Sequence, residues 1–277
     1  MSIAGGIEKS LLRGYDLECN TIQIFTKNSR GWREKEFEES EIGAFNETKK
    51  KTGIDPVISH CSYLINLAAP DEEIYRKSIN SMLNEMKRCE SGGIAYLVIH
   101  PGSHKGSGEL SGIEKIVDAI NQLHLKTTGF RVKILLETTA GQGTNLGYRL
   151  EQIAEIIEGL EEKSRIGFCL DTCHVFAAGY ELRTENSYRK IFSDIEEMIG
   201  MVRLKVIHLN DSQGDCGSRV DRHGHIGKGM IGENPFRWIM NDERLKNIPK
   251  IIETPKVGSK DIDNLQLLRS FCNENHP

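Results

Sequence analysis

Residues 204–232 read LKVIHLNDSQGDCGSRVDRHGHIGKGMIG. The stretch opens on a mostly apolar run, residues 204–207, which stops at His208 and gives way to a glycine-rich polar loop. A short apolar run bounded in this way reads as a strand covered on both faces, as in a parallel sheet flanked by helices. Thirteen residues past His208 comes Asp221, followed by Arg222 and His223. On extended backbone an Asp and a His two positions apart project the same way. Imidazole and carboxylate are the ligands that borderline divalent metals prefer, zinc above all. One such histidine is ordinarily a hydrogen-bonded loop residue; recurrence along the chain gives the pattern its weight.

Working outward, the same punctuation returns. Residues 21–27 (TIQIFTK), 56–59, 95–99, 132–136, 166–170 and 250–252 also have strand character, and Lys27, His60, His100, Glu137, Asp171 and Glu253 stand at their ends. Helical periodicity fills the gaps. Ile79, Met82, Leu83 and Met86 share one face, and Ile113, Ile116, Val117 and Ile120 share another, behind Ser111 and Glu114 at capping-box spacing. Ile153, Ile156, Ile157 and Leu160 mark a third face, and Tyr188, Ile191, Phe192 and Ile195 a fourth. Residues 7–19, 36–51, 235–245 and 262–271 are also expected as helices. The count is seven strands, each followed by a helix, with one helix ahead of the first. The expected fold is therefore α/β, a (β/α)8 TIM barrel whose first strand is missing or truncated at the N-terminus; such barrels run to about 250 residues. An open doubly wound sheet is the rival, but only a closed ring brings all the strand ends to one rim. There is no linker and no repeat beyond the βα unit, so residues 1–277 are expected to form a single domain.

A chain of 277 residues can bury a large core without disulfides. The net charge of −4 carries no global basic signature for nucleic acid, although bound cations can offset carboxylates locally. Seven cysteines without a CxxC pair read as reduced thiols; Cys169 is expected to pack in a strand, and for Cys216, in the glycine-rich loop, facing a metal is the minor reading. No apolar run approaches a membrane span, and the N-terminus lacks a signal-peptide pattern, so a soluble intracellular protein is expected.

Six of the seven strand ends, His60, His100, Glu137, Asp171, His208 and Glu253, carry metal-capable side chains, and His174, Asp221 and His223 lie in loops just beyond two of them. Nine ligands exceed the roughly four that one tetrahedral ion takes, and suit two or three ions with bridging carboxylates. Clustered carboxylates need something cationic nearby to stay ionised, since like charges raise one another's pKa. His104, His124, His225 and His276 have no such placement.

The segments ETTAGQG (residues 137–143), CLDTCH (169–174), HLNDSQGDCGSRVDRHGHIGKGMIG (208–232) and IIETP (251–255) resemble the endonuclease IV family of apurinic/apyrimidinic endonucleases. The likeness runs from SIAGG (2–6) to the last helix and keeps every motif in order. It implies a barrel holding three zinc ions, with manganese or iron possible at one site. His60 and His100 would bind one ion, and Glu137 would bridge it to a second completed by Asp171, His208 and Glu253. His174, Asp221 and His223 would hold the third. The likeness also makes Arg30, Tyr63 and Leu64 DNA-contacting residues; their sequence context alone gives an exposed Arg and a loop-packed Tyr–Leu pair. Two departures stand out. Relatives carry a short strand ahead of SIAGG, and Cys61 follows His60 where relatives often have an acidic or small residue.

The implied activity is hydrolysis of the phosphodiester 5′ to abasic sites in duplex DNA, and trimming of blocked 3′ ends. Glu137 would be the catalytic carboxylate that orients a hydroxide formed from metal-coordinated water, with Glu253 assisting. A monomer with no membrane association is expected. Two other classes fit less of the pattern. A xylose-isomerase-like sugar isomerase or epimerase leaves His174, Asp221 and His223 unexplained, and a non-catalytic abasic-DNA binder leaves the complete ligand set without a purpose.

Overall fold

The computed structural model describes residues 1–33, 35–256, 258 and 260–272; His276 lies outside them. The chain forms two compact units, one of Met1–Glu137 with Ala154–Phe168, the other of Thr138–Ile153 with Cys169 onward.

The first unit alternates α1 (Glu8–Asp16), β1 (Ile22–Ile24), α2 (Glu39–Thr52), β2 (Val57–His60), α3 (Glu72–Ser91), β3 (Tyr96–Ile99), α4 (Glu109–Lys126) and β4 (Lys133–Glu137). β1 to β4 pair in parallel and in chain order, with Ile24 opposite Ser59, His60 opposite Val98 and Ile99 opposite Leu136. Every residue of β2 is buried, as a strand covered on both faces requires. α3 starts where Asp71 accepts hydrogen bonds from the Glu73 and Ile74 amides, and it buries Ile79, Met82 and Met86 against the strands. Fully burying side chains of this size stabilises by about 1.5–3 kcal/mol each.

Two local expectations fail here. α4 begins at Glu109 after Gly108, with no side-chain cap, so Ser111 lies inside the first turn and forms no capping box with Glu114. β1 ends at Ile24 rather than at residue 27, because the next side chains turn toward α3. Thr26 donates to the Glu85 carboxylate, Lys27 Nζ donates to Ser81 Oγ at 2.7 Å, and Arg88 Nε donates to Thr26 Oγ1 at 3.1 Å. Ahead of α1, the Met1 ammonium donates to the Gln23 carbonyl of β1.

The line between the units falls within α5 (Leu150–Glu158) and β5 (Ile166–Asp171). The second unit continues with α6 (Thr172–Ala178), α7 (Glu185–Met198), β6 (Leu204–His208), β7 (Asp211–Ser212), β8 (His223–Gly224), α8 (Asn234–Asn241), β9 (Lys250–Ile251) and α9 (Lys260–Phe271). β6 pairs in parallel with β9, His208 opposite Ile251. β7 and β8 form a small antiparallel ladder absent from the sequence reading, with Ser212 opposite His223. His174 lies on α6 rather than in a loop. The helix expected over residues 235–245 stops at Asn241, and a 3-10 turn, Glu243–Leu245, follows Asp242, whose carboxylate accepts from the Arg244 amide. Phe176, Phe192 and Phe236 fill this unit's core. No helix among the described residues is long and apolar enough to cross a membrane.

Candidate metal centre

Parallel pairing in chain order sets neighbouring strand ends side by side. In the first unit this brings together His60 at the end of β2, His100 directly after β3 and Glu137 at the end of β4. Each offers one ligand atom within 4.8 Å of the others'. Glu137 Oε2 lies 3.0 Å from His60 Nε2 and 3.3 Å from His100 Nε2. His60 Nδ1 lies 2.7 Å from the Cys61 carbonyl, which can only accept, so Nδ1 carries the ring proton. In the neutral ring Nε2 is then a bare lone pair facing a carboxylate oxygen. Two acceptors so close require a proton or a cation between them. Glu137 is 0 % and His60 2 % exposed, and an ionised carboxylate so far from water costs several kcal/mol unless paired. A histidine whose second nitrogen donates to a main-chain carbonyl is the usual arrangement of a metal ligand.

Beside this triad the rings of Phe25 and Tyr63 stand 5.3 and 5.4 Å from that of His60, and Tyr63 stands 6.0 Å from His100. Tyr63 is 54 % exposed, Leu64 half-buried and Arg30 exposed. The Ser29 carbonyl accepts from the Tyr63 amide at 3.0 Å and from Ser62 Oγ at 2.9 Å, so the loop bearing Arg30 is stitched to the loop bearing Tyr63 and Leu64. The Cys61 thiol is buried against Met82 Sδ at 3.2 Å, and burial pushes its pKa well up. It packs as an apolar group.

The second unit gathers Asp171, His174, His208, Asp221, His223 and Glu253. His174 Nδ1 lies 2.8 Å from the Thr138 carbonyl and His223 Nδ1 lies 3.1 Å from the Glu253 carbonyl. Both rings therefore keep their proton on Nδ1. Their bare Nε2 atoms stand 3.3 Å apart, and Asp221 Oδ1 is 3.2 Å from one and 3.5 Å from the other. Asp171 Oδ2 is 3.7 Å from His223 Nε2 and 3.7 Å from His208 Nδ1, which is itself 3.4 Å from Glu253 Oε2. Asp171 caps α6 through the His174 amide at 2.9 Å, which explains how His174 is aimed.

Sequence reasoning missed Asn210. It is buried, donates from Nδ2 to Asp171 Oδ2 at 2.7 Å, and accepts the Glu253 amide at 2.7 Å, orienting both carboxylate-bearing residues. Its one signal is its position two residues after His208, on the same face of extended chain. Phe25 was missed as well.

Outside these clusters, His225 Nδ1 meets Asn264 Nδ2 at 3.0 Å, and His104 Nδ1 accepts the Gly106 and Gly108 amides. Lys27 is held on α3. Cys169 is buried as expected. Cys216 joins neither cluster among the described residues, its amide bonding Asp215. Cys173 donates to the Arg222 carbonyl, and burial, followed by the nearby Asp171 charge, pushes its thiol up to about 12.

Strands that end in His and carboxylate groups, alternating with helices, define an α/β barrel with side-chain clusters that could hold metal ions. Residues 14–271 match the family described as xylose isomerase-like TIM barrel. The chain is 49 % identical to the probable endonuclease 4 of Chloroflexus aurantiacus, over 98 % of this chain and 96 % of that relative. The crystal structure of endonuclease IV from Thermus thermophilus is 32 % identical, covers 98 % of this chain and 96 % of its own, and superposes with a TM-score of 0.88. The chain belongs to the endonuclease IV family, and its fold is the TIM barrel expected from the strand count. A D-tagatose 3-epimerase-like protein superposes with a TM-score of 0.76 at 15 % identity over 98 % of this chain and 95 % of its own, a likeness of fold alone.

Proposed function

We propose that this protein is a DNA-repair endonuclease that hydrolyses the phosphodiester 5′ to abasic sites in duplex DNA, leaving a 3′-hydroxyl and a 5′-deoxyribose phosphate. The observation that carries the reading is the convergence of unprotonated ring nitrogens and carboxylate oxygens in each unit of a chain of this family. His60 and His100 would hold one zinc ion, Asp171, His208 and Glu253 a second, and His174, Asp221 and His223 a third, with Glu137 shared by the first two. Manganese or iron suits the same donors. When bound, such ions lower the pKa of coordinated water from about 15.7 to about 7 and draw charge from a phosphate.

The chain's own groups do the rest. Main-chain carbonyls at Cys61, Thr138 and Glu253 keep ring protons on Nδ1, so that Nε2 of each ring presents a lone pair. Glu137 orients the attacking water, and Glu253 serves as an auxiliary carboxylate. An abasic nucleotide has no base to unstack, so displacing it costs less than the few kcal/mol of an intact one. Arg30, Tyr63 and Leu64 fill the space it leaves, as wedge residues do. Trimming blocked 3′ ends is the same ester hydrolysis at a strand terminus. The protein acts as a monomeric, single-domain enzyme in the compartment that holds the DNA.

The test is incubation with an oligonucleotide duplex carrying one abasic site, with and without a chelator, followed by analysis of the product ends. Chelator-sensitive cutting on the 5′ side is expected. A duplex that is bound but left intact, or a protein that epimerises ketoses and ignores DNA, overturns the proposal.

A further inference from the structure

Asn210 and Asp211 are neighbours on extended chain and face opposite ways. Asn210 meets the candidate ligands, while Asp211 turns its carboxylate into the loop that follows. Asp211 is 0 % exposed. Its Oδ2 accepts the Gly229 amide at 2.9 Å, and its Oδ1 accepts the Ile231 amide at 2.9 Å and the Ser212 amide at 2.7 Å. Around it the two limbs of the loop are tied down. Ser212 O accepts the Met230 amide at 2.7 Å, Arg222 O accepts the Gln213 amide at 2.9 Å, and Gln213 Nε2 donates to His223 O at 2.8 Å. The approach is tight. A Cβ on Gly229 would lie 2.3 Å from Ser212 O and 2.5 Å from Asp211 Oδ1.

Fixing each backbone residue costs conformational entropy, so a long polar loop does not present Asp221 and His223 to His174 unaided. The hydrophobic core does not hold it, since most of residues 213–222 are exposed. The loop's tip is tied to α6, where the Phe176 and Ala177 carbonyls accept the Gly217 and Arg219 amides, and the Asp221 amide donates to Gln142 Oε1; at its base the buried Asp211 carboxylate joins the outgoing limb to the 229–231 segment that follows the return.

We infer that Asp211 is the positioning residue for Asp221 and His223: by accepting the Gly229 and Ile231 amides, it holds the β7–β8 ladder in the register that sets those two side chains against His174. The inference rests on the reading of that trio as a third cation site.

Asp211→Asn keeps the shape and replaces one accepting oxygen with an amide nitrogen that cannot accept. Zinc titration of the metal-free, full-length variant should lose one ion per chain, the same ion lost by His223→Ala, with the others retained. Amide hydrogen exchange at Met230 and Gln213, neither of which bonds Asp211, should accelerate roughly tenfold or more, the scale of losing a bond to a charged acceptor, while β6 is unchanged. Gly229→Ala presses on the same grip from the other side and should reproduce both effects if Asp211→Asn does not fold. Full ion count at wild-type affinity, or unchanged exchange at Met230 and Gln213, overturns the assignment. If His223→Ala costs no ion, the third-cation reading is the one that fails. Exchange at Met230 and Gln213 then decides alone: faster exchange supports Asp211 as the anchor, and unchanged exchange ends it.

Discussion

A carboxylate oxygen 3.0 Å from an imidazole nitrogen with no proton to give is a pair of acceptors held together, and at Glu137 a second imidazole nitrogen stands at 3.3 Å. Glu137→Gln removes the charge and points either an amide hydrogen or a weaker oxygen at the two rings. Cutting of an abasic duplex should fall at least about a hundredfold, with binding retained. Cleavage gels and gel shifts on the same variant check both halves. His124 offers a test unrelated to the metals. It is buried on α4 with no hydrogen-bond partner for either ring nitrogen, and burial, aided by the Arg165 guanidinium, pushes its pKa down to about 4. The unfolded chain, near 6.5, binds a proton that the folded ring refuses. Its contribution is therefore complete above about pH 6.5 and is lost as the pH falls toward 4, on the order of 3 kcal/mol. Denaturant titrations of the metal-free protein should show this loss, and His124→Leu should flatten it. The residues that cluster were legible because His and acidic side chains punctuate the ends of apolar strands along the chain. Asn210, Asp211 and Phe25 were not, because what an amide, a buried acid or a ring does depends on what it faces, and no spacing encodes that.

Among elements, the strands were read from short apolar runs and the helices from their periodic faces, since both patterns are imposed by burial. Errors fell where side-chain hydrogen bonds outweighed pattern. β1 stops three residues early because Thr26 and Lys27 bond α3, and α6 begins at once after β5 because Asp171 caps it. The β7–β8 ladder is two residues a side, too short to alternate visibly. The stitched pair of loops that carries Arg30, Tyr63 and Leu64 was beyond sequence reasoning too, since its hydrogen bonds end on a main-chain carbonyl at Ser29. Tyr63 rests against Phe25 and His60 yet is 54 % exposed, so it is available to a ligand. Tyr63→Ala should lower the preference for abasic over intact duplex severalfold, stacking on an aromatic being worth about 1–3 kcal/mol per base. Bound metal should stay at the wild-type count. Competition binding with matched duplexes and metal analysis decide; an unaltered preference returns Tyr63 to a packing role.

At the scale of the whole molecule, each compact unit carries a His and carboxylate cluster of its own, so holding ions and staying folded are linked. A ligand present at about a thousandfold over its dissociation constant stabilises the folded state by roughly 4 kcal/mol, which for a chain of this size is on the order of ten degrees in Tm. Chelator treatment should lower the melting temperature by at least several degrees, and added zinc should restore it; calorimetry with and without metal checks this, and an unchanged melting curve denies the linkage. One further consequence follows from the carbonyls of Cys61, Thr138 and Glu253 that receive the ring protons of His60, His174 and His223. A peptide oxygen belongs to every residue type alike, so the group that steadies the His60 imidazole is the carbonyl at position 61 and not the side chain there, which packs against Met82 instead. Tautomer choice is thus inherited with the path of the backbone rather than with any one codon.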